Sequence, residues 1–247
     1  MVIYEGPSQI DGKPIVAIVT TSSKNSKMES DSGIKVMQTW ILAADMSPTD
    51  AVKTGADRSV CGDCPHRHHT GGACYVIPFQ APRSVWAAWK RGSYDKPERA
   101  AKVERELGRS MIRLGAYGDP AAVPWTVWRD LVARAAHGHT GYTHQWRLPI
   151  AAGLRGLCMA SVDSPEEDEL AKSKGWRTFL ATDLSPESID LQVSGSIECL
   201  SDARGTSCAD CGICDGSRLG RDKQPTSVWI TMHGARAKRP SALKVIK

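Results

Sequence analysis

Residues 157–167 read Leu-Cys-Met-Ala-Ser-Val-Asp-Ser-Pro-Glu-Glu and decide the predicted fold class. The first six residues are an apolar run typical of a buried strand. Ser164 and Glu167 then form a capping box around Pro165, which suits the first position of a helix. Another predicted strand, 176–182, follows that helix. A strand, a helix and a strand in this order indicate parallel pairing through a crossover helix.

The same alternation continues along the chain. Strands are predicted at 15–20, 35–42, 111–115, 140–146, 197–200 and 227–232, and helices at 48–54, 83–91, 97–107 and 124–136. The predicted fold is therefore α/β, a partial or irregular (β/α) barrel with an N-terminal β extension and Cys-rich metal-binding loops. An open α/β sheet is the alternative. We expect one domain, with a β unit at 1–45, a β/α core at 46–200, and a Cys-rich loop, last strand and basic tail at 201–247.

Composition and charge exclude several classes of protein. The 247 residues are 41% hydrophobic and 24% charged, as in ordinary globular proteins. No apolar run approaches the ~20 residues that a membrane-spanning helix needs. The net charge of +5 permits contact with nucleic acid without requiring it. Because the N-terminus lacks the long apolar segment of a secretion signal, we expect a reducing compartment, where cysteines bind metal more often than they form disulfides.

Four of the eight cysteines lie close together near the C-terminus: Cys199, Cys208, Cys211 and Cys214. Two consecutive two-residue spacings let successive thiolates turn toward one centre. Four thiolates suit either tetrahedral zinc or a [4Fe–4S] cluster. We therefore predict a metal site here, called the late cysteine set below. The alternative is a closed structural metal site that holds a long loop in place and takes no part in chemistry.

A second set, called the early cysteine set, consists of Cys61, Cys64 and Cys74, with histidines at 66, 68 and 69 nearby. Three thiolates leave one metal position open, which distinguishes a catalytic metal site from a structural one. Two other arrangements remain: a closed zinc site with one histidine as fourth ligand, and a single site that merges both cysteine sets. Cys158 lies in an apolar strand and is predicted to be a small core residue.

Polar residues follow several predicted strands at their C-terminal ends: Asp119, His144, Asp163, Asp183 and His233. In a barrel these ends surround one mouth, where active sites lie. The aspartates would alternatively cap the helices that follow them. We predict Asp119, His144 and Asp163 as catalytic residues.

Five motifs spread over nearly the whole chain carry a family resemblance. They are Cys61-Gly-Asp-Cys64-Pro-His, Cys74-Tyr-Val, Arg113-Leu-Gly-Ala-Tyr-Gly-Asp-Pro120, Thr140-Gly-Tyr-Thr-His-Gln-Trp146 and Cys208-Ala-Asp-Cys211-Gly-Ile-Cys214. With them the chain resembles a family of proteins encoded by tailed bacteriophages and prophages. The resemblance implies a viral protein that acts in the host bacterial cytoplasm.

A more distant resemblance is to radical SAM enzymes, which are partial (β/α) barrels with an early three-cysteine loop. It implies a [4Fe–4S] cluster on the early set with one open iron for S-adenosylmethionine, and an auxiliary cluster on the late set. It also implies cofactor contacts from Gly118, Asp119 and Tyr142. Three features depart from that family. The early cysteines are spaced by two and then nine residues rather than three and then two, Asp119 stands where glutamate is expected, and a predicted helix at 48–54 lies between the first strand and the cysteine loop.

Three classes of function follow from these features. The first is an iron–sulfur enzyme that modifies a nucleotide, a nucleic acid or a peptide. The second is a zinc-stapled module without catalysis that binds nucleic acid or a host protein, using Lys90, Arg91 and the basic tail as phosphate contacts. The third is a metal-dependent base-exchange enzyme with Asp119 or Asp163 as nucleophile and structural zinc on the late set.

Overall fold

A nine-stranded sheet runs through the computed structural model, which describes residues 1–21, 30–193, 195–216 and 227–232. The strands are Val2–Pro7 (β1), Pro14–Thr20 (β2), Lys35–Ala43 (β3), Ser110–Tyr117 (β4), His139–Thr143 (β5), Met159–Val162 (β6), Thr178–Thr182 (β7), Ser196–Glu198 (β8) and Ser227–Thr231 (β9). Their order across the sheet is β1-β2-β3-β4-β5-β6-β7-β9-β8. His233 and the basic tail lie outside the described residues.

Nine α-helices accompany the strands in the part of the chain that the structure describes. They are Pro48–Thr54 (α1), Arg58–Cys61 (α2), Ala81–Lys90 (α3), Pro97–Leu107 (α4), Trp125–Val132 (α5), Pro165–Ser173 (α6), Pro186–Gln192 (α7), Leu200–Arg204 (α8) and Cys208–Cys211 (α9). The predicted cap of α6 is confirmed, because the Ser164 side chain accepts a hydrogen bond from the backbone N–H of Glu167. Among the described helices, none has the length and apolar character to cross a membrane.

The sheet is open, which corrects the predicted barrel and leaves the α/β class confirmed. β1, β2 and β3 pair antiparallel and form the predicted N-terminal β extension, and β3 to β7, β9 and β8 pair parallel. A barrel would require β3 to pair with the last parallel strand. That edge of β3 is already hydrogen-bonded to β2, and the outer edge of β9 is hydrogen-bonded to β8. The alternative of an open α/β sheet therefore describes the molecule.

Different helices cover the two faces of the sheet. Asp168 of α6 accepts hydrogen bonds from Thr178 of β7 and Ser227 of β9, so α6 packs on the face that carries these side chains. Val36 and Met111 point to the opposite face, where they form a small apolar cluster with Cys208 of α9 and its neighbour Ala209. The late cysteine set therefore lies on the face that α6 leaves free.

The turn after β4 brings the chain very close to β3. Gly118 has φ +84°, and a Cβ built there would stand 2.7 Å from Cβ of Ile41 and 2.9 Å from its carbonyl oxygen. The next backbone N–H, that of Asp119, donates a 2.6 Å hydrogen bond to the carbonyl oxygen of Val60. Only glycine fits here, because the backbone conformation and the contact with β3 both exclude a side chain.

We predict that Gly118→Ala lowers the free energy of unfolding more than Gly12→Ala does. Both glycines have positive φ, but a Cβ at Gly12 would meet nothing within 4 Å. The two variants share the backbone cost of a left-handed alanine, about 1–2 kcal/mol. Gly118→Ala adds overpacking against Ile41, about 1–3 kcal/mol. Urea unfolding measures the difference, and equal losses in the two variants would contradict the close packing of this turn.

Candidate functional site

The early cysteine set lies at the carboxyl edge of the parallel sheet, in the long connection between β3 and β4. Cys61 is the last residue of α2, and Cys64 and Cys74 follow in the loop after it. Burial raises the pKa of the Cys61 thiol well above its ordinary value, and negative charge on Cys64 and Cys74 raises it further. The charges of Cys64 and Cys74 therefore act on Cys61.

A buried ion pair holds this loop in shape. The Arg67 guanidinium lies 2.5 Å from one carboxylate oxygen of Asp57 and 3.2 Å from the other, and both side chains are almost fully buried. Arg67 also donates hydrogen bonds to the carbonyl oxygens of Gly62, at 3.1 Å, and Gly55, at 3.0 Å. One side chain thus ties together three points of the loop that carries Cys61 and Cys64. The sequence analysis missed this pair, because ten residues separate its members and neither belongs to a motif.

Gln145 fastens the same loop to the segment after β5. Its side-chain amide donates a 3.2 Å hydrogen bond to the carbonyl oxygen of Cys61 and accepts a 3.4 Å bond from the backbone N–H of Asp63. A Cβ on Gly62 would stand 2.3 Å from this amide, so the loop passes directly over it. The segment that carries His144 is therefore held against the early cysteines.

His66, His144 and Asp163 converge beside the early cysteines, although they come from three separate segments. Nε2 of His66 lies 2.6 Å from Oδ1 of Asp163, and Nε2 of His144 lies 3.8 Å from the same oxygen. The two imidazole rings meet edge to face, with centroids 5.5 Å apart. His144 is also hydrogen-bonded to the Cys64 side chain. The structure thus brings together two of the three predicted catalytic residues and adds His66.

Charge interactions in this group outweigh the effect of burial. Burial alone would lower the pKa of His144, but the negative charge of Cys64 and the hydrogen bond to Asp163 place it well above its ordinary value. Burial alone would raise the pKa of Asp163, but hydrogen bonds from His144 and His66 hold it well below its usual range. Asp163 is therefore a carboxylate, and it faces two imidazoles.

Asp119 is buried, and its carboxylate has three hydrogen-bond donors that do not belong to the His66, His144 and Asp163 side chains. Its carboxylate accepts hydrogen bonds from the Thr143 hydroxyl at 2.7 Å, the Ala121 backbone N–H at 2.9 Å and the His144 backbone N–H at 2.8 Å. Burial nevertheless raises its pKa above the ordinary value, against the effect of these bonds. Asp119 therefore caps the turn at Pro120 and holds the backbone of His144, which makes it a positioning residue for the predicted catalytic group.

Tyr142 contacts the late cysteine set rather than Gly118 and Asp119. Its side chain is hydrogen-bonded to Cys214, and its ring packs on Phe179 with centroids 4.7 Å apart. Burial raises the pKa of Cys214 to about 12, and the charges of the other three late cysteines contribute to the rise. The charges of the other late cysteines therefore act on Cys214, and Tyr142, predicted as a cofactor contact, contacts the late set instead.

The two cysteine sets contact different parts of the sheet. The early set is at the carboxyl edge, whereas Cys208 packs against residues near the start of β3 and β4, and Cys214 is hydrogen-bonded to Tyr142 of β5. Arg113 stands between them, because it donates a hydrogen bond to the Tyr75 hydroxyl and its pKa is raised by Tyr75 and, to a smaller extent, by Cys208. The cysteine charges that raise the pKa of Cys61 come from the early set, and those that raise the pKa of Cys214 come from the late set, so the two sets are described separately.

We predict that Arg67→Met lowers the free energy of unfolding by about 3–5 kcal/mol, because it leaves the Asp57 carboxylate buried without a counter-charge. Arg58→Met is the matched control on the same loop. Arg58 pairs with Asp63 at 3.1 Å, but both side chains are exposed, so its loss costs at most about 1 kcal/mol. Chemical denaturation of the two variants measures both values. Similar values for the two variants would show that the buried pair does not hold the loop.

Comparisons of the chain with protein-family models, with curated proteins and with solved structures found no match. The geometry of the two cysteine sets and of the His66, His144 and Asp163 group is therefore the basis for any assignment of function.

Proposed function

We propose that this chain is an iron–sulfur enzyme that acts on a nucleotide or a nucleic acid. In this proposal Cys61, Cys64 and Cys74 hold the reactive cluster, and the late set holds a second cluster. The observation that carries the proposal is the grouping of Cys61, Cys64 and Cys74 at the carboxyl edge of a parallel sheet, where the Cys61 thiol is buried and Cys64 is hydrogen-bonded to His144. Three thiolates on a four-iron cluster leave one iron open to a substrate or another ligand.

The spacing of the sulfurs supports a cluster over a single zinc ion. Among the described side chains, only His66, His144 and Asp163 place three ligand atoms within 4.8 Å of one another, so neither cysteine set does. Thiolates around one tetrahedral zinc, each about 2.3 Å from the metal, would stand only about 3.8 Å apart. A cluster of several irons lies between its thiolates and accepts a wider spacing. Neither described cysteine set therefore has the spacing of a closed zinc site, and its thiolates are the donors that iron–sulfur clusters use.

The residues that the resemblance assigns to S-adenosylmethionine have other contacts in the described structure. The cavity lined by His66 and Asp163 is about 30 Å³, room for one or two water molecules. Both carboxylate oxygens of Asp119 already accept hydrogen bonds from the chain, and Gly118 is packed against Ile41. We therefore derive no step through that cofactor.

The contacts of the late set support a structural role for its cluster. The Cys214 carbonyl oxygen accepts a 3.1 Å hydrogen bond from the backbone N–H of Gly141, and Arg177 pairs with Asp215 at 3.1 Å. Cys208 packs on Val36 and Met111. These contacts attach the segment to the sheet, and metal bound there would hold it in place. The early set is left as the reaction centre.

A nucleotide or nucleic acid is favoured as substrate by the surface that follows Cys74. Phe79 and Tyr75 are 63% and 58% exposed, a large fraction for aromatic rings. The helix α3 comes next and adds Lys90, whose Nζ lies 4.5 Å from the Trp89 ring centroid. Exposed rings stack on bases and cations contact phosphates, and both can act on single strands of any sequence.

We predict that the protein, purified without oxygen, carries about eight irons and eight sulfides per chain, as expected for two [4Fe–4S] clusters. Cys74→Ser removes one ligand of the early cluster and should lower both contents by about half. Cys158→Ala is the matched control, because Cys158 is fully buried in the core cluster and belongs to neither cysteine set. Iron and sulfide analysis with the visible spectrum measures the result.

Colourless protein with stoichiometric zinc and no iron would contradict the proposal and support the zinc-stapled binding module instead. An equal loss of iron in Cys158→Ala and Cys74→Ser would also contradict it, because the loss would then follow from damage to the fold.

We predict that Phe79→Ala weakens binding of a fluorescent single-stranded oligonucleotide by about 1–3 kcal/mol, the usual contribution of one stacked base. Leu170→Ala is the control, since Leu170 is an exposed apolar residue of α6, outside the surface that follows Cys74. Fluorescence anisotropy at several salt concentrations measures both, and affinity should fall as salt rises. Unchanged binding in Phe79→Ala would exclude this surface as the nucleic-acid contact.

A further inference from the structure

His66, His144 and Asp163 form a ligand group without any cysteine. His66 comes from the early loop, His144 from the segment after β5, and Asp163 from the end of β6. One ligand atom of each lies within 4.8 Å of the others. Their side chains are only 14%, 23% and 9% exposed, so the three polar groups meet in a largely dehydrated place.

The distances suit coordination of one ion. Ligand atoms about 2.1 Å from a metal and at right angles to each other stand about 3 Å apart. The separations from Asp163 Oδ1 to Nε2 of His66 and to Nε2 of His144 are 2.6 Å and 3.8 Å, on either side of that value. Each imidazole thus directs its Nε2 atom toward Oδ1 of Asp163, so the three ligand atoms point toward one place.

The hydrogen bonds and the cavity around His66, His144 and Asp163 also support a metal site. The Asp163 backbone N–H donates a 3.0 Å hydrogen bond to Oε2 of Glu167, and the His66 carbonyl oxygen accepts a 2.9 Å bond from the backbone N–H of Cys74. These bonds fix two of the three ligand-bearing segments, as supporting contacts do around metal sites. The neighbouring cavity of about 30 Å³ is lined by His66 and Asp163 and also by Thr182 and Asp183. It has room for exchangeable water on an ion held by the three ligands.

We propose that His66, His144 and Asp163 bind one first-row divalent cation such as Fe²⁺ or Mn²⁺, with coordination positions open toward the cavity. Two histidines and one carboxylate with open positions form the ligand set of mononuclear non-haem iron sites. No cysteine is among the ligands, although His144 is also hydrogen-bonded to Cys64 of the early set.

The test titrates Mn²⁺ into the full-length protein, purified without oxygen and passed over a chelating resin. The electron paramagnetic resonance signal of free Mn²⁺ reports binding, and Mn²⁺ is chosen because oxygen and nitrogen ligands suit it better than thiolates. We expect one Mn²⁺ per chain, and binding at least tenfold weaker in both His66→Gln and Asp163→Asn. If the wild type keeps a bound metal ion after the chelating resin and both variants lose it, that ion is taken to occupy the same site.

His69→Ala is the matched control, because His69 lies on the same loop and its Nδ1 is bonded to the Val52 carbonyl oxygen instead. His69→Ala and Cys74→Ser should both bind Mn²⁺ as the wild type does. The proposal is overturned if the wild type binds no such ion, if the two ligand variants bind it equally well, or if Cys74→Ser abolishes binding. Circular dichroism melting verifies that each variant is folded. Iron and sulfide contents of the same samples report separately on the cysteine clusters.

Discussion

Parallel pairing of β3 to β7 is the constraint on which the candidate site depends. Because parallel strands point the same way, the segments that follow them emerge at one edge of the sheet. The early cysteines follow β3, Asp119 follows β4, His144 follows β5 and Asp163 follows β6. His66 and Asp163, 97 positions apart in the chain, therefore become neighbours. No local interaction could bring them together, so the hydrogen bonds of the sheet are the first requirement of any chemistry here.

Some buried polar groups are paired within the protein, and other buried groups are gathered as donor atoms of the kind that bind metal. Asp57 has its counter-charge in Arg67, and Asp119 has three hydrogen-bond donors, so both are satisfied within the protein. Cys61 is buried beside other thiols that raise its pKa, and Asp163 faces two imidazoles. Thiols, imidazoles and carboxylates are the groups that bind metal ions, and metal binding contributes to the stability of the fold. The thiols and the histidine–aspartate group are therefore the places where a metal would stabilise the fold.

The open sheet also gives the two cysteine sets different surroundings. The N-terminal hairpin of β1 and β2 occupies the edge of β3 that a barrel would need, so the sheet keeps two ends and a face that α6 does not cover. The late segment fills that face and packs Cys208 on Val36 and Met111. The early loop stays at the edge, beside the exposed Phe79. The late set therefore packs on a face of the sheet, and the early set lies at its carboxyl edge.

The local features were predictable from the sequence alone, because each depends on neighbouring residues. Alternating strands and helices, the cap of α6 at Ser164 and the grouping of thiols at two-residue spacing all come from short-range patterns. The sheet order, the pairing of Arg67 with Asp57, and the meeting of His66 with Asp163 required the tertiary structure. Strand order depends on which edges pair, and a buried charge finds its partner in space rather than along the chain. The sequence determined which residue types could bind metal, and the packing of the sheet decided which of them face one another.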